Sequence, residues 1–265
     1  MSNSKGTALI TGASSGIGKV YADRLAKRGY DLILVARDKD RLDALAAKLT
    51  ADYGVKTDVL KADLTAKPDL LKVEDRLRTD AAITAFINNA GIGGPGPIVG
   101  NDPDKLEQVI NLNVTALTRL ATVAATAFAA REEGLIVNVG SVLGLAPEMF
   151  PSNYPATKAY VLVFTQSLAK ELAPKHVRVQ AVLPGATRTE IWERGGKDIN
   201  SLPAEILMDV DEMVDASLAG LDLGELVTIP SLPDYGDWEK LNAARLHLAP
   251  NLSRNKAAPR YKAAA

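Results

Sequence analysis

The 265-residue chain contains no cysteine and only two histidines, His176 and His247. The absence of cysteine excludes disulfide bonds, catalysis by a thiolate and every metal site with a cysteine ligand. Two histidines far apart in the sequence are too few for a histidine-based metal cluster. We therefore predict that the protein has no metal site.

An excess of charge of one sign is also lacking, because 31 Lys and Arg residues stand against 32 Asp and Glu residues. A balanced chain has no global field that attracts nucleic acid or an anionic membrane. No apolar run approaches the ~20 residues needed to cross a bilayer, and the N-terminal residues lack the basic-then-apolar layout of a secretory signal. We expect a cytoplasmic protein with no nucleic-acid or membrane partner.

Strand-like apolar runs alternate with helix-length segments along most of the chain. Several of these runs are almost continuously apolar and rich in Val, Ile and Leu, which is typical of strands buried on both faces. The alternation predicts an α/β fold, a doubly wound parallel sheet of about seven strands with helices on both faces. The predicted strands are residues 7–11, 31–36, 56–62, 83–89, 135–140, 177–184 and 226–230.

A glycine-rich stretch, TGASSGIGK at residues 11–19, follows the first predicted strand. In a doubly wound sheet this turn meets the phosphates of a bound nucleotide, and glycine lets the backbone approach an anion closely. A P-loop does not fit, because Val20 stands where that motif needs Ser or Thr. The spacing of Gly12, Gly16 and Gly18 also differs from G-x-G-x-x-G. Taken alone, the stretch indicates either an anion site or a plain structural turn.

Further motifs in a fixed order give the chain a resemblance to the short-chain dehydrogenase/reductase family. After TGASSGIG come NNAG at residues 88–91, Ser141, and the pair Pro184 and Gly185, which follow the fourth, fifth and sixth predicted strands. The motif YPATK, at residues 154–158, begins thirteen residues beyond Ser141. A YxxxK match alone is weak, but order, spacing and strand context agree from about residue 6 to residue 230. The resemblance implies an oxidoreductase that uses a nicotinamide cofactor.

The resemblance also implies a domain organisation and an assembly. We assign residues 1–230 to a dinucleotide-binding and catalytic domain. Residues 231–265 form a C-terminal extension that is expected to pack on the same domain or on a partner subunit. Family members pair subunits through the helices that follow Asn113 and Tyr154, so we expect a homodimer or a homotetramer.

The end of the second predicted strand, LVARD at residues 34–38, bears on the choice of cofactor. An acidic residue near this point takes the ribose hydroxyls of NAD, whereas an arginine favours the 2′-phosphate of NADP. The chain has Ala36 where NAD-preferring relatives carry the acid, and Arg37 where NADP-preferring relatives often carry arginine. We predict NADP(H) in preference to NAD(H), with Arg41 as a candidate second cation. The alternative is that Arg37 only solvates the start of a helix.

The resemblance implies further contacts with the cofactor. Asp63 resembles the residue that meets the adenine amino group, although it could instead cap a helix. Thr187 and Thr189 resemble the residues that contact the nicotinamide carboxamide and the pyrophosphate. The full predicted set is Gly12, Ser14, Ser15, Gly16, Ile17, Gly18, Arg37, Asp63, Leu64, Asn89, Ala90, Gly91, Tyr154, Lys158, Pro184, Gly185, Thr187 and Thr189.

Tyr154 and Lys158 are spaced to share one face of a helix, one turn apart. Hydride transfer to a carbonyl requires a proton at its oxygen, and a nearby ammonium lowers the pKa of tyrosine. We predict that Tyr154 is the acid in reduction and the base in oxidation, and that Lys158 lowers its pKa and, as the resemblance implies, holds the nicotinamide ribose. Ser141 is expected to orient the substrate oxygen. The family pattern N-x-x-[GA] selects Asn113 over Asn111 as the residue that kinks a helix and holds a water that relays protons to Lys158.

The segments expected around the nicotinamide are mostly apolar, which favours a small to medium ketone or secondary alcohol as substrate. Residues 188–210, with Gly195, Gly196 and Pro203, have the composition of a lid. The candidate pocket residues are Ile92, Leu143, Leu145, Met149, Phe150, Trp192, Ile206 and Leu207.

Two other functions remain open on the sequence. Reduction of a carrier-bound 3-oxoacyl group would favour a basic docking patch, for which Arg188, Arg194 and Lys197 are a thin candidate. A non-catalytic protein that senses the NADP redox state would use the same cleft. Such a sensor does not need the constellation of Asn113, Ser141, Tyr154 and Lys158, so we favour an enzyme.

Overall fold

The structure is a computed structural model that describes residues 5–194 and 198–261. A π-helical segment, Asn111–Ala116, joins two of the helices. The strands are β1 (Thr7–Thr11), β2 (Asp31–Ala36), β3 (Thr57–Lys61), β4 (Ile83–Asn88), β5 (Gly134–Val139), β6 (Val177–Val182) and β7 (Val227–Thr228). The helices are α1 (Gly16–Lys27), α2 (Lys39–Tyr53), α3 (Lys67–Thr79), α4 (Pro103–Ile110), α5 (Leu117–Arg131), α6 (Tyr154–Leu172), α7 (Ile191–Arg194), α8 (Val210–Leu223) and α9 (Tyr235–His247).

The strands form one seven-stranded parallel sheet in the order β3-β2-β1-β4-β5-β6-β7. Ile10 of β1 pairs with Leu34 of β2 on one side and with Ile87 of β4 on the other. The strand order reverses at this point, and ligands of open α/β sheets bind where such a reversal leaves a crevice at the carboxyl ends of the strands. The predicted fold class is confirmed.

Alternate residues of each strand pack on opposite faces of the sheet. Ala8 and Ile10 of β1 join the cluster that includes residues of α1, α2 and α8, whereas Leu9 joins the cluster that includes residues of α3, α5 and α6. All three side chains are fully buried. Because helices cover both faces, most buried strand positions are apolar. The buried polar exceptions, such as Asn138 and Gln180, form side-chain hydrogen bonds.

The continuous helical stretch Pro103–Arg131 comprises α4, the π-helical segment and α5. Among the residues that the structure describes, it is the one helix long and apolar enough to cross a membrane, by length and composition only. The buried face of α5, with Leu120, Ala124 and Phe128, belongs to one of the two core clusters. We interpret the stretch as a core helix.

The chain forms two compact units, Met1–Pro230 and Ser231–Ala265. The first unit contains the sheet and helices α1 to α8. The second contains α9, followed by 3₁₀ turns at Ala249–Asn251 and Pro259–Tyr261. The surface on which the extension packs stays a prediction.

Candidate active site

The glycine turn between β1 and α1 lies in close contact with the loop after β4. Gly12 and Gly16 have φ angles of 69° and 51°, in the left-handed region that favours glycine. A Cβ on Gly18 would lie 2.4 Å from the carbonyl oxygen of Gly12 and 2.6 Å from Nδ2 of Asn89. Ser15 occupies the N-cap of α1. The turn therefore presents bare backbone at a helix N-terminus, which is an arrangement that suits a phosphate.

Thr11, the last residue of β1, ties this turn to the NNAG motif. Its buried hydroxyl accepts hydrogen bonds from the backbone N–H groups of Asn89 (3.0 Å) and Ala90 (3.1 Å) and donates to the carbonyl of Ile87 (3.3 Å). The Asn89 amide donates in turn to the carbonyl of Thr11 at 2.9 Å. Sequence reasoning did not single out Thr11, although a polar residue that ends a buried apolar strand was an available signal.

The side chains at the end of β2 differ in their partners. Arg37 is exposed and, within the described ranges, has no ion pair and no side-chain hydrogen bond. Arg41 was a candidate second cation for a phosphate, but its Nη1 lies 2.8 Å from the Glu190 carboxylate. The hydrogen bond with Glu190 raises the pKa of Arg41, so this guanidinium is already paired with an anion.

Asp63 forms a turn after β3. Its Oδ1 accepts from the backbone N–H of Thr65 (2.9 Å) and from the Thr65 hydroxyl (2.7 Å), and Leu64 is buried beside it. Because Ala66 occupies the N-cap of α3, the alternative that Asp63 caps this helix was wrong. The contact with adenine stays a prediction.

The segment after β6 contacts both the end of β5 and the glycine turn. The Pro184 carbonyl accepts from the backbone N–H of Val142 at 3.0 Å, which joins this segment to the end of β5. Thr187 is buried and donates its hydroxyl to the Gly185 carbonyl at 3.1 Å. Thr189 lies against the glycine turn, because a Cβ on Gly16 would be 3.2 Å from its Cβ.

Ser141, Tyr154 and Lys158 come together beyond β5. Ser141 is buried, caps a 3₁₀ turn and accepts a hydrogen bond from the Leu143 backbone N–H at 3.2 Å. Tyr154 is the first residue of α6, and Lys158 follows one turn later. Nζ of the buried Lys158 lies 5.5 Å from the centroid of the Tyr154 ring and donates to the Val139 carbonyl at 2.9 Å.

The pKa values of Tyr154 and Lys158 differ from those expected from the sequence. Burial raises the pKa of Tyr154 to about 12, and its hydrogen bond with Ser141 only partly opposes this. Burial also lowers the pKa of Lys158 to about 8. We expected Lys158 to lower the tyrosine pKa. Desolvation is the dominant cause instead, because the lysine ammonium is itself destabilised by burial and donates to a backbone carbonyl.

Asn113 lies in the π-helical segment and is buried, whereas Asn111 is exposed. Its Oδ1 accepts from the Ile92 N–H at 2.9 Å, and its Nδ2 donates to the Ile92 carbonyl (2.9 Å) and to Thr157 Oγ1 (3.2 Å). Thr157 donates to the Tyr154 carbonyl at 2.7 Å. Both amide hydrogens of Asn113 are thus used to connect the loop after β4 with the start of α6. Sequence analysis did not identify Thr157, although it lies inside YPATK.

Apolar side chains border the Ser141–Tyr154 pair. The ring of Phe150 meets that of Tyr154 edge-on, with centroids 6.5 Å apart. The half-buried Trp192 donates its indole N–H to the Thr187 carbonyl at 2.8 Å. Met149 and Ile206 are 70% and 54% exposed, so they do not form part of a closed pocket. Gly195, Gly196 and Lys197, from the predicted lid and basic patch, lie outside the described residues, as does the side chain of Arg194.

A seven-stranded doubly wound sheet, a bare glycine turn at its switch point and a Ser–Tyr–Lys group whose serine and lysine are buried define an oxidoreductase of the Rossmann type. Residues 6–200 match the sequence profile of the short chain dehydrogenase family. The chain belongs to this family, and the resemblance drawn from its motifs is confirmed.

Solved structures and curated proteins that are similar to this chain include members of the same family. A short-chain dehydrogenase from Sphingobium yanoikuyae in complex with NADPH is 54% identical, with a TM-score of 0.94 over 97% of this chain and 100% of its own. The bulky-bulky ketone specific alcohol dehydrogenase from Comamonas testosteroni is 49% identical, with a TM-score of 0.89 over 97% and 98% of the two chains. The very-long-chain 3-oxoacyl-CoA reductase of Anas platyrhynchos is 35% identical over 69% of this chain, which spans only 60% of that enzyme's length.

Proposed function

We propose that this short-chain dehydrogenase is an NADP(H)-dependent reductase that interconverts an apolar ketone and its secondary alcohol. The observation that carries the proposal is the meeting of Ser141, Tyr154 and Lys158 beyond β5, with the Asn113 amide joined to the same helix through Thr157. A protein that only senses the redox state of NADP does not need a proton donor or the residues that position it. The constellation therefore favours an enzyme.

The protein's own residues fit a dinucleotide. A Cβ on Gly12 or Gly18 would enter the space between the glycine turn and Asn89, so bare backbone is required where a pyrophosphate would approach. The exposed Arg37 at the end of β2 suits a 2′-phosphate. The relative from Sphingobium yanoikuyae that binds NADPH supports the same cofactor.

NADP(H), when bound, supplies or accepts hydride at its nicotinamide ring. Ser141 holds the substrate oxygen by a hydrogen bond and fixes its orientation. Tyr154 gives its phenolic proton to that oxygen during reduction and takes it back during oxidation. Lys158, held at the Val139 carbonyl, places a cation near the phenol where negative charge develops.

An apolar ketone is supported by the surroundings of the proton donor. Phe150 packs on Tyr154, and the backbone N–H groups of Leu143 and Ile92 bind Ser141 and Asn113, so the segments next to the proton donor carry apolar residues. The relative from Comamonas testosteroni is a bulky-bulky ketone specific alcohol dehydrogenase. We propose bulky apolar ketones as the first substrates to examine.

A second candidate substrate is a 3-oxoacyl thioester. The observation that favours it is the 35% identity with the very-long-chain 3-oxoacyl-CoA reductase of Anas platyrhynchos. Both candidate reactions reduce a ketone, which in a 3-oxoacyl thioester is at C3 of the acyl chain, so the same Ser141 and Tyr154 would serve.

A substrate panel tests the proposed function. NADPH oxidation is followed by absorbance at neutral pH with bulky aryl ketones, small aliphatic ketones, aldehydes, diketones and 3-oxoacyl-CoA thioesters, with NADH in parallel. Turnover that is faster with NADPH, on bulky ketones above all, is the expected result. Turnover of thioesters alone favours the second candidate, and tight NADPH binding without turnover of any compound contradicts the enzyme.

Replacing Arg37 with aspartate is expected to move the cofactor preference from NADP(H) toward NAD(H). The substitution removes a forked cation that suits the 2′-phosphate and introduces a carboxylate that accepts the two ribose hydroxyls of NAD. Loss of a charge-assisted hydrogen bond of about 1.5–3 kcal/mol corresponds to about a 10- to 150-fold change in the ratio of kcat/KM for the two cofactors.

Lys39→Asp is the matched control, since it makes the same change of charge two residues later, on a side chain paired with Asp43. The control should leave the ratio nearly unchanged. An Arg37→Asp ratio equal to that of the parent would refute the role of Arg37.

Alcohol oxidation is expected to accelerate with pH, whereas ketone reduction is not. Tyr154 must be ionised to accept a proton, and with its pKa raised to about 12 the phenolate fraction grows by about tenfold per pH unit below that value. Reduction needs the protonated phenol, which predominates at neutral pH. Because the pKa of Lys158 is lowered to about 8, reduction should decline above that pH as the ammonium is lost. Oxidation that is independent of pH between about pH 6 and pH 8, where Lys158 is still charged, would contradict this assignment.

We also propose that the protein forms a homodimer or homotetramer through α5 and α6. Val163 on α6 is 64% exposed, and the Tyr160 ring stacks on Phe164 with centroids 5.7 Å apart and donates to or accepts from Thr118 on α5. Exposed apolar and aromatic side chains on a long helix are typical of a subunit interface. Light scattering of the purified chain gives the molar mass in solution. A mass of two or four chains is the expected result, and a mass of one chain would contradict the proposed assembly.

A further inference from the structure

A long-range ion pair joins the start of α2 to the segment that follows β6. Nη1 of Arg41 lies 2.9 Å from Oε1 and 2.8 Å from Oε2 of Glu190. The two residues are 149 positions apart in the chain, so the contact is not a helix-surface pair. Arg41 also lies 3.4 Å from the Asp38 carboxylate through its Nε.

This ion pair borders the path of a bound dinucleotide. Arg41 lies in the first turn of α2, where its backbone N–H is capped by Asp38 at 3.1 Å. Glu190 follows Thr189, the residue whose side chain lies against Gly16 of the glycine turn. A pyrophosphate on that turn directs the adenosine ribose toward the end of β2. The 2′ position of that ribose would therefore lie near Arg37 and the Arg41–Glu190 pair.

The two arginines at this site differ in one respect. Arg37 has no anionic partner among residues 5–194 and 198–261, whereas Glu190 already occupies the guanidinium of Arg41. The side chains of Arg41 and Glu190 are 49% and 42% exposed, and exposed ion pairs are weak enough to exchange partners. A phosphate with nearly two negative charges is a stronger partner for a guanidinium than one carboxylate.

We propose that Glu190 is a residue that determines cofactor specificity: its carboxylate competes with the 2′-phosphate of NADP(H) for Arg41 and so limits the preference for NADP(H) over NAD(H). The proposal rests on the proposed use of NADP(H). NAD(H), which has a 2′-hydroxyl, leaves the ion pair intact. NADP(H) takes Arg41 from Glu190, and part of the binding free energy of its 2′-phosphate is lost in separating the pair.

Glu190→Gln tests this competition in the full-length chain, because it removes the charge and keeps the shape of the side chain. Dissociation constants are measured by fluorescence titration for NADPH, NADH, 2′-phospho-ADP-ribose and ADP-ribose. We expect about two- to fivefold tighter binding of the two 2′-phosphorylated compounds, in keeping with an exposed ion pair, and unchanged binding of the other two. The difference in affinity between Glu190→Gln and the parent for the 2′-phosphorylated compounds should become smaller as the salt concentration is raised.

Two further variants serve as controls. Glu193→Gln removes a carboxylate from an exposed position three residues later and should change none of the four constants. In an Arg41→Ala background, Glu190→Gln should no longer affect the discrimination, because the competing pair is already absent.

Each other result overturns the proposal in a recognisable way. An equal gain in affinity for NADPH and NADH in Glu190→Gln means that the Glu190 charge repels both cofactors and does not compete for Arg41. Weaker binding of both cofactors means that the ion pair holds the site closed. A parent enzyme that reduces ketones with NADPH, together with an unchanged discrimination in Glu190→Gln, overturns the role of Glu190 alone. A parent that binds no 2′-phosphorylated compound overturns the use of NADP(H) itself.

Discussion

Replacing Tyr154 with phenylalanine is expected to lower kcat for ketone reduction by about 10²–10⁴-fold, the usual contribution of a positioned general acid. The phenolic hydroxyl is the group that hydrogen-bonds with Ser141 in this site. NADPH binding should be essentially unchanged, because phenylalanine keeps the ring that packs on Phe150. Steady-state kinetics and a fluorescence titration of NADPH measure the two effects separately.

Tyr160→Phe is the matched control for this substitution. Tyr160 lies on the same helix, is 38% exposed and shares a hydrogen bond with Thr118 at 2.8 Å. Its replacement removes the same hydroxyl from the same element and should leave kcat close to that of the parent. Activity of Tyr154→Phe within a few-fold of the parent would show that another group donates the proton.

The second large effect is expected from Gly18→Ala, which should abolish tight cofactor binding. The new Cβ would lie 2.4 Å from the Gly12 carbonyl oxygen and 2.6 Å from Nδ2 of Asn89, and neither backbone nor a hydrogen-bonded amide moves easily. Crowding of this kind typically lowers the free energy of unfolding by about 1–3 kcal/mol. Displacement of the glycine turn also removes the backbone surface offered to a pyrophosphate, so NADPH affinity should fall by at least about tenfold.

Gly93→Ala provides a comparison at a glycine without such contacts. A Cβ at Gly93 would meet no atom within 4 Å, and its φ is not in the left-handed region. Chemical denaturation and NADPH titration should therefore give values near those of the parent. If Gly18→Ala binds NADPH as the parent does, the glycine turn is not the phosphate site.

Periodicity in the sequence was sufficient to predict the sheet. The predicted first and second strands, residues 7–11 and 31–36, coincide with β1 and β2, because both are bounded by glycine or charged residues and carry apolar side chains on both faces. The predicted sixth strand, residues 177–184, is two residues too long, because strand pairing ends at Val182 before Pro184. β7 has only two residues, Val227 and Thr228, where five were predicted. Apolar runs locate strands, but their ends depend on pairing with neighbours that the local sequence does not contain.

Short motifs were sufficient to predict which residues the fold brings together, since YPATK lies beside Ser141 and TGASSGIG lies beside Asn89. The partners that hold these residues could not be predicted. Asn113 bonds to Ile92 and Thr157, 21 and 44 positions away, and the Arg41–Glu190 pair is separated by 149. Such contacts depend on the folded arrangement of several elements.

The ionisation of Tyr154 illustrates the same limit. The i, i+4 spacing of Tyr154 and Lys158 predicted a lowered tyrosine pKa, on the assumption that the ammonium is the dominant neighbour. The structure shows that burial acts on both groups, raising the pKa of the phenol and lowering that of the amine. The depth of burial is a property of the fold, and a pair spacing alone does not contain it.

The central claim is that this chain transfers hydride from NADPH to the carbonyl carbon of an apolar ketone. The measurement that tests it most directly is reduction of a bulky aryl ketone with NADPH that carries deuterium at the transferable position of its nicotinamide, followed by mass spectrometry of the alcohol. We predict one deuterium on the carbinol carbon of the product, and about 10²–10⁴-fold less labelled alcohol in a parallel reaction with Tyr154→Phe over the same time. NADPH that binds without forming any alcohol, or an alcohol whose carbinol hydrogen comes from solvent, would contradict the account.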